Sequence, residues 1–394
     1  IGGTTPAALG ADWLTSAFDQ MAYAWISSPL AAKLEMISLE WLKDLFGIPG
    51  RWQGIMTTGS TMGNFVCLAA ARQWAGERLG IDPSEEGLAG APPIPVFSSR
   101  LIHASDLKAL GMLGLGRASV TVQSDAVSGG FDTEALKHSL TELDGTPAII
   151  IAVAGEPNAG EFDPIAELAD LAEEYNAWLH VDGAFGLFAA VTAEKSHLVE
   201  GIERAHSVTV DGHKWLNVPY DTGFAFVHEP MLLTRSFTHS AEYLPEPDPD
   251  RPFFGALGPE MSRRARSLST WATLRAYGRR GIRYMVEQCL EVAQHLSDLV
   301  DEAPDLERLA EVPLNVVCFR YNPGSVDDER LNELNDRLGK AILKEGEVFV
   351  GTTTYRGKVA FRPAIANWRT RNSDVELLAE RVRELGADLS ENRL

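Results

Sequence analysis

Lys214 lies just past a short apolar run, Ser207–Asp211, in the string Asp211-Gly212-His213-Lys214-Trp215. A lysine at a strand end inside a cleft, its pKa lowered by burial and neighbours, is a free amine able to form an imine with an aldehyde. Thirty-two positions earlier (214 minus 182), His180-Val181-Asp182-Gly183-Ala184 closes another apolar run. Ligands of open α/β sheets lie outside the carboxyl ends of the strands. An aspartate there can keep a proton on an aromatic ring nitrogen, which preserves the ring as an electron sink. Gly183 and Ala184 would let a flat ring lie close. Thr58-Gly59-Ser60-Thr61-Met62-Gly63-Asn64 stands before an Ala-rich helical stretch, where unpaired N–H groups and hydroxyls favour an anion. His103, just beyond a strand-like segment, can stack on a ring and move a proton. Each piece has an ordinary reading alone: an N-cap turn at Ser60, a strand-end turn cap at Asp182, a solvated surface lysine, a structural histidine. Their order and joint spacing point to one site.

Such a site needs elements that bring strand ends together. Ile94–Ser98, Ser119–Val122, Ala148–Val153, Ala177–Asp182, Ser207–Asp211 and Gly223–Val227 read as strands. The continuous apolar run at 148–153 is typical of a strand buried on both faces. Helical periodicity over 11–46, Gly63–Trp74 and Asp163–Asn176 alternates with them, which predicts an α/β domain with a mainly parallel sheet. Residues 244–252 (LPEPDPDRP) form a loop. Helices follow around Ser262–Tyr277 and Ile282–Leu299. After Pro304 a strand at Pro313–Phe319, a helix at Asp328–Lys344, a strand pair at Val348–Thr353 and Lys358–Arg362, and a helix at Ser373–Leu385 predict a small α+β domain. The expected division is 1–285 and 286–394.

Composition bounds the partners. A net charge of −20 over 394 residues speaks against a nucleic-acid partner. Cys67, Cys289 and Cys318 are odd in number, far apart and in apolar surroundings. That predicts buried thiols in a reducing, cytoplasmic compartment rather than disulfides or a zinc site. No apolar run reaches membrane-spanning length, so no membrane partner is expected. The first residues, IGGTTPAALG, read like the interior of a longer chain, and an upstream arm is expected to be absent from this sequence or lost from its numbering.

Together, HVDGAFG at 180–186 and DGHKWLNVPYDTG at 211–223 resemble the group II pyridoxal-phosphate decarboxylases, which include the aromatic amino acid, histidine and glutamate decarboxylases. The resemblance runs from about Ala11 to about Arg362. Arg263 to Leu268, followed by Trp271, is similar to the family's helix after the catalytic loop. The resemblance implies the fold-type I architecture of the aspartate aminotransferase superfamily: a large domain with a mainly parallel, seven-stranded-type sheet and a small C-terminal α+β domain. It implies pyridoxal 5'-phosphate held as a Schiff base on Lys214, with His213 beside it. Asp182 would pair with the pyridine nitrogen, Ala184 pack near the ring and His103 stack on it. Ser60 and Thr61 would hold the phosphate, and Asn158 would add a polar contact. Met21, Tyr23 and Trp25 would line the substrate pocket from the partner subunit of a homodimer with shared active sites. Arg362 would approach the substrate carboxylate. The implied reaction is decarboxylation of an L-amino acid to its amine; aromatic residues at 23 and 25 suit a large or aromatic side chain. An aldehyde synthase, a carbon–carbon lyase and an aminotransferase are the alternatives on this scaffold.

Two departures bear on chemistry. Decarboxylating relatives use a loop tyrosine to protonate the carbanion, where this chain has Phe253, Phe254, Gly255, Ala256 and Leu257; the nearest loop tyrosine is Tyr243. In the family, phenylalanine in that role goes with decarboxylation coupled to oxidative deamination. Asp211 stands where animal relatives carry asparagine, and is expected to brace His213 or a backbone turn.

Overall fold

Short runs of Val, Ile, Phe and Ala can hide both faces only inside a layered sheet. In the computed structural model, which describes residues 2–126, 128–238, 248, 250–324 and 327–391, such runs build the core. The chain opens with helices α1 (Pro6–Phe18) and α2 (Pro29–Phe46). It continues through β1 (Gln53–Thr57), α3 (Ser60–Arg78), β2 (Val96–Ser98), α4 (Ala104–Met112), β3 (Val120–Val122) and α5 (Thr133–Glu142). Then come β4 (Ile149–Val153), α6 (Ile165–Glu174), β5 (Trp178–Asp182), β6 (Ser207–Asp211), β7 (Gly223–Val227) and α7 (Pro230–Phe237). The seven strands form one sheet in the order β1-β7-β6-β5-β4-β2-β3. β6, β5, β4, β2 and β3 are parallel neighbours, while β7 runs antiparallel to β6 and β1. β4 to β7 are buried along their whole length. Among the strands, β1 is absent from the sequence expectations; its five residues, QGIMT, carry no alternation and are paired only through β7.

α3 lies directly on the sheet because its inner face is small. A Cβ on Gly63 would come within 1.9 Å of Thr209 Oγ1 on β6, so glycine sets the approach of helix to strand. α8 (Ser267–Glu302) is broken at Gly278, with φ 60° and ψ −176°, in the gap expected between Tyr277 and Ile282. The helix begins at Ser267 rather than Ser262, because the arginines before it are engaged elsewhere. Arg263 forms a buried two-pronged pair with Glu35 at 3.0 and 3.1 Å, and Arg264 reaches Asp12 at 2.6 Å.

The described residues divide into two compact units, 2–154 with 162–283, and 155–161 with the chain from 284 onward. Residues 155–161 thus fall on the far side of the line expected at 285/286: Ala159 is buried in one cluster with Cys318, Tyr355 and Ala360. The smaller unit contains β8 (Leu306–Arg308), β9 (Phe319–Tyr321), α9 (Asp328–Glu345), β10 (Thr352–Tyr355), β11 (Lys358–Phe361) and α10 (Asn372–Ser390). Its strands form an antiparallel sheet ordered β10-β11-β9-β8. Two expected strands are shifted here. Residues 314–318 are buried but pair only through a single bridge, Val316 to Ala364, so β9 starts at Phe319. The Val348–Thr353 expectation moves to Thr352–Tyr355, because Arg356 (φ 49°) and Gly357 (φ 80°) make a two-residue turn that sets Tyr355 opposite Lys358.

All three cysteines are free and buried. Among the described residues no helix is long and apolar enough to cross a membrane.

Candidate active site

β5 and β6 run side by side with Asp182 level with Thr209. Residues 182–184 and 211–214 therefore leave the sheet at neighbouring carboxyl ends. Asp182 is 3% exposed. Its Oδ1 accepts from the Ala184 backbone N–H at 3.0 Å, and its Oδ2 accepts from Asn64 Nδ2 at 3.0 Å. Asn64, in the second turn of α3, is a hub. Its amide nitrogen also donates to Ser105 Oγ at 3.2 Å, and its Oδ1 lies 3.1 Å from His180 Nε2. With both amide hydrogens committed, Asn64 Oδ1 is an acceptor, so His180 carries its proton on Nε2. His180 Nδ1 then accepts from Ser207 Oγ at 2.9 Å, and Ser207 Oγ accepts from Trp178 Nε1 at 3.0 Å. Burial lowers the His180 pKa to about 4, so the ring is neutral at pH 7.

The same network reaches His103. Ser105 Oγ accepts from Asn64, so its hydroxyl proton is free to go to His103 Nδ1, 2.6 Å away. The Ser105 N–H adds a second donor at 3.2 Å. Both contacts fill Nδ1 and leave His103 Nε2 as the nitrogen available for exchange. Asn64, Ser105 and His180 were not singled out in the sequence. Asn64 carried a signal: a polar residue four positions after Ser60 shares its helix face, and that face continues through Cys67, Leu68 and Ala71 with no other polar side chain.

Lys214 and Asp211 form the second cluster. Lys214 Nζ is 2.9 Å from Asp211 Oδ2 and 4.6 Å from the centre of the Phe185 ring. Asp211 Oδ1 accepts the Ser60 backbone N–H at 2.7 Å and lies 3.5 Å from His213 Nε2. The carboxylate thus braces His213 as expected, but it also anchors the start of α3 and pairs with the lysine. His213 accepts the Thr222 N–H on Nδ1 at 3.3 Å and stacks on Tyr220 with ring centres 4.3 Å apart. Burial, outweighing the Asp211 charge, lowers the His213 pKa. Ser60 Oγ is buried and has no hydrogen-bond partner among the described residues. Thr61 is exposed on the first turn. Gly59 adopts φ +124°, and a Cβ there would come within 3.0 Å of His213 Cε1 and 3.3 Å of Asp211 Oδ1. Only glycine lets the helix start this close to the lysine loop.

The remaining expected residues make contacts of their own. Met21, Tyr23 and Trp25 belong to a strip running along residues 252–264. Met21 bridges to Arg264 and Ala24 to Phe253, the Tyr23 ring meets the edge of Phe253 at 5.7 Å, and the Trp25 N–H donates to Pro252 O at 3.1 Å. Phe254 is 1% exposed. Tyr243 lies outside the described residues. In the smaller unit, Asn158 donates to Glu156 Oε2 at 3.0 Å and accepts from Thr353 Oγ1 at 2.7 Å. Arg362 Nη1 donates to Pro157 O at 3.1 Å.

The pattern of the family described as "Pyridoxal-dependent decarboxylase conserved domain" matches residues 2–322. The chain is 30% identical to aromatic-L-amino-acid decarboxylase of Bacillus atrophaeus over 388 residues, 96% of this chain and 78% of that protein. It is 28% identical to phenylacetaldehyde synthase of Petunia hybrida over 378 residues, covering 90% of this chain and 73% of that protein. The crystal structure of Oryza sativa TDC with PLP and tryptamine superposes with a TM-score of 0.90 at 25% identity, covering 98% of this chain and 82% of that one.

Proposed function

We propose that this chain, which belongs to the pyridoxal-dependent decarboxylase family and is a pyridoxal-phosphate-dependent carboxy-lyase, decarboxylates an L-amino acid with a large or aromatic side chain and releases the amine. The observation that carries the reading is the placement of the Lys214 amine and the Asp182 carboxylate at adjacent parallel strand ends, on the side of the sheet covered by α3. When bound, pyridoxal phosphate supplies an aldehyde for the substrate amine and a ring that accepts the electron pair left by carbon dioxide.

The residues fit that group. Lys214 is the amine for attachment, and its side chain is 19% exposed, enough to be reached. Asp182, fixed by two donors, would hold a proton on the ring nitrogen. Ser60 Oγ, buried without a partner, is a donor waiting for a phosphate oxygen, and exposed Thr61 would add another. Ala184 keeps the floor beside Asp182 small. His103, oriented through Nδ1, would cover the ring and exchange a proton through Nε2. His213, wedged between Asp211 and Tyr220, would hold the lysine loop in place. Met21, Tyr23 and Trp25 would shape the substrate pocket of the partner subunit in a homodimer. Exposed Trp13, Phe18, Ile26 and Leu30 around α1 and the start of α2 support a covered surface there. Free, buried thiols suit a reducing cytoplasmic compartment.

A second reading has its own observation. Residues 253–257 offer two phenylalanines and no tyrosine as proton donor, and a phenylacetaldehyde synthase is among the relatives. Under that reading the product is an aldehyde, formed with consumption of oxygen and release of ammonia and peroxide.

Two measurements test the reading. Borohydride reduction of the holoenzyme followed by peptide mapping is expected to leave the cofactor on the peptide containing Lys214, and Lys214→Ala to carry none. Label on another lysine would remove the site assignment. Holoenzyme fed tryptophan, tyrosine, phenylalanine and DOPA is expected to release carbon dioxide with the amine; aldehyde and peroxide in equal amount select the second reading, and no carbon dioxide from any amino acid defeats both.

A further inference from the structure

Asp106, in the first turn of α4, is wholly buried. Neither of its carboxyl oxygens meets a donor in hydrogen-bond geometry. His180 Nε2 is 4.0 Å away, too far for a hydrogen bond, and its proton is committed to Asn64. Asp182 is held by the same Asn64 side chain that meets His180, and it acts on Asp106 as a neighbouring charge and a hydrogen-bond partner, so two carboxyl groups meet inside the fold. Two anions this close, out of water, cannot both persist, and one must hold a proton. Asp182 has N–H donors on both oxygens; Asp106 has none. The proton therefore belongs on Asp106.

The groups facing the pair strengthen the assignment. β5 contributes His180, held neutral by burial. α3 contributes Cys67, whose thiol burial keeps protonated. His103, at the start of α4, turns Nδ1 to Ser105. His180 and Cys67 therefore supply no cation. Burial first, and the Asp182 charge second, push the Asp106 carboxyl well above its usual range, and the nearby amides of Asp106 and His103 offset only part of this.

We propose that Asp106 is a neutral carboxylic acid whose O–H donates a hydrogen bond to Asp182, making it a positioning residue for the ring-nitrogen contact. The second half rests on the role given above to Asp182. The pair then carries one negative charge against one pyridinium. A further donor on Asp182 makes that carboxylate a weaker base, so the proton they share stays on the ring nitrogen. Among the described residues both carboxyl oxygens of Asp106 lack a donor while Asp182 is its side-chain hydrogen-bond partner, which favours this role over an ordinary buried acid.

The test separates the two halves. Infrared difference spectra of apo wild type minus apo Asp106→Asn at neutral pH are expected to contain a protonated-carboxyl stretch that shifts in heavy water. Its absence overturns the proposal. Cofactor dissociation constants are then measured for wild type, Asp106→Asn and Asp106→Leu. Asparagine still donates to Asp182 and is expected to stay within about twofold of wild type. Leucine donates nothing and is expected to weaken binding about tenfold, the loss of one hydrogen bond to a charged group. Equal constants for leucine and wild type overturn the positioning role. If Asp106→Leu does not fold, a more than tenfold loss in Asp106→Asn has the same force. A wild-type protein that shows the infrared band but binds no pyridoxal phosphate leaves the acid pair standing and removes the cofactor reading instead.

Discussion

Asn64 joins two of the residues proposed for the site, Asp182 directly and His103 through Ser105. One amide ties the Asp182 carboxylate, the His180 ring and, through Ser105, the His103 ring. Such a chain fixes proton positions as well as side chains, because each member has a single donor pattern left. It also fixes a pH response. His180 falls from the ordinary 6.5 to about 4 in the fold. As pH drops, the unfolded chain takes up the proton first. The stability this histidine contributes is therefore complete above about pH 6.5 and is lost on the way down to about pH 4, in total about 3 kcal/mol. Urea midpoints measured across that range are expected to decline in wild type and to decline less steeply in His180→Gln, which keeps an N–H donor and does not titrate. Parallel profiles would remove His180 as the cause. His206, also lowered to about 4 by burial, and His213 and His228, lowered in the same direction, contribute to the residual slope.

At the scale of elements, the site is made by three starts and ends. α3 begins at Ser60 against Asp211, β5 ends at Asp182 and β6 ends at Asp211. The glycines of the Gly59–Gly63 turn allow this convergence, one at the lysine loop and one against β6. Gly63→Ala would drive a methyl into Thr209, whose hydroxyl donates to Phe224 O at 3.1 Å. A loss of about 2 kcal/mol in unfolding free energy is expected, together with weaker cofactor binding, because α3 carries both Ser60 and Asn64. Unchanged denaturation and unchanged affinity would show that the helix can lift without disturbing the site. Elsewhere the chain places its own stops: the left-handed pair Arg356–Gly357 shifts a strand by several residues, and Gly278 breaks α8.

At the scale of the whole molecule, the proposed homodimer makes the active site depend on association. Apolar side chains around α1 and the start of α2, Trp13 and Ile26 among them, are 68% and 78% exposed in the single chain, and association would take such surface out of water. Activity per chain is expected to fall when the holoenzyme is diluted through its dimer dissociation constant, with sedimentation showing a shift to monomer over the same range. Full activity in a monomer would refute shared sites and return Met21, Tyr23 and Trp25 to a purely structural role.

The sequence by itself determined the layered α/β class and most of the central strands, and it singled out Lys214 and Asp182 as the pair proposed for the site, because those depend on local apolar runs and on rare strings at strand ends. It could not show that Asp211 caps α3 while pairing with Lys214, nor that residues 155–161 join the smaller unit, nor that Asp106 faces Asp182. Apart from the Asp211–Lys214 pair, three positions apart, those contacts join residues 76 or more positions apart. They arise only when separate elements pack, and the donors each acid then meets decide which of the facing acids keeps its proton.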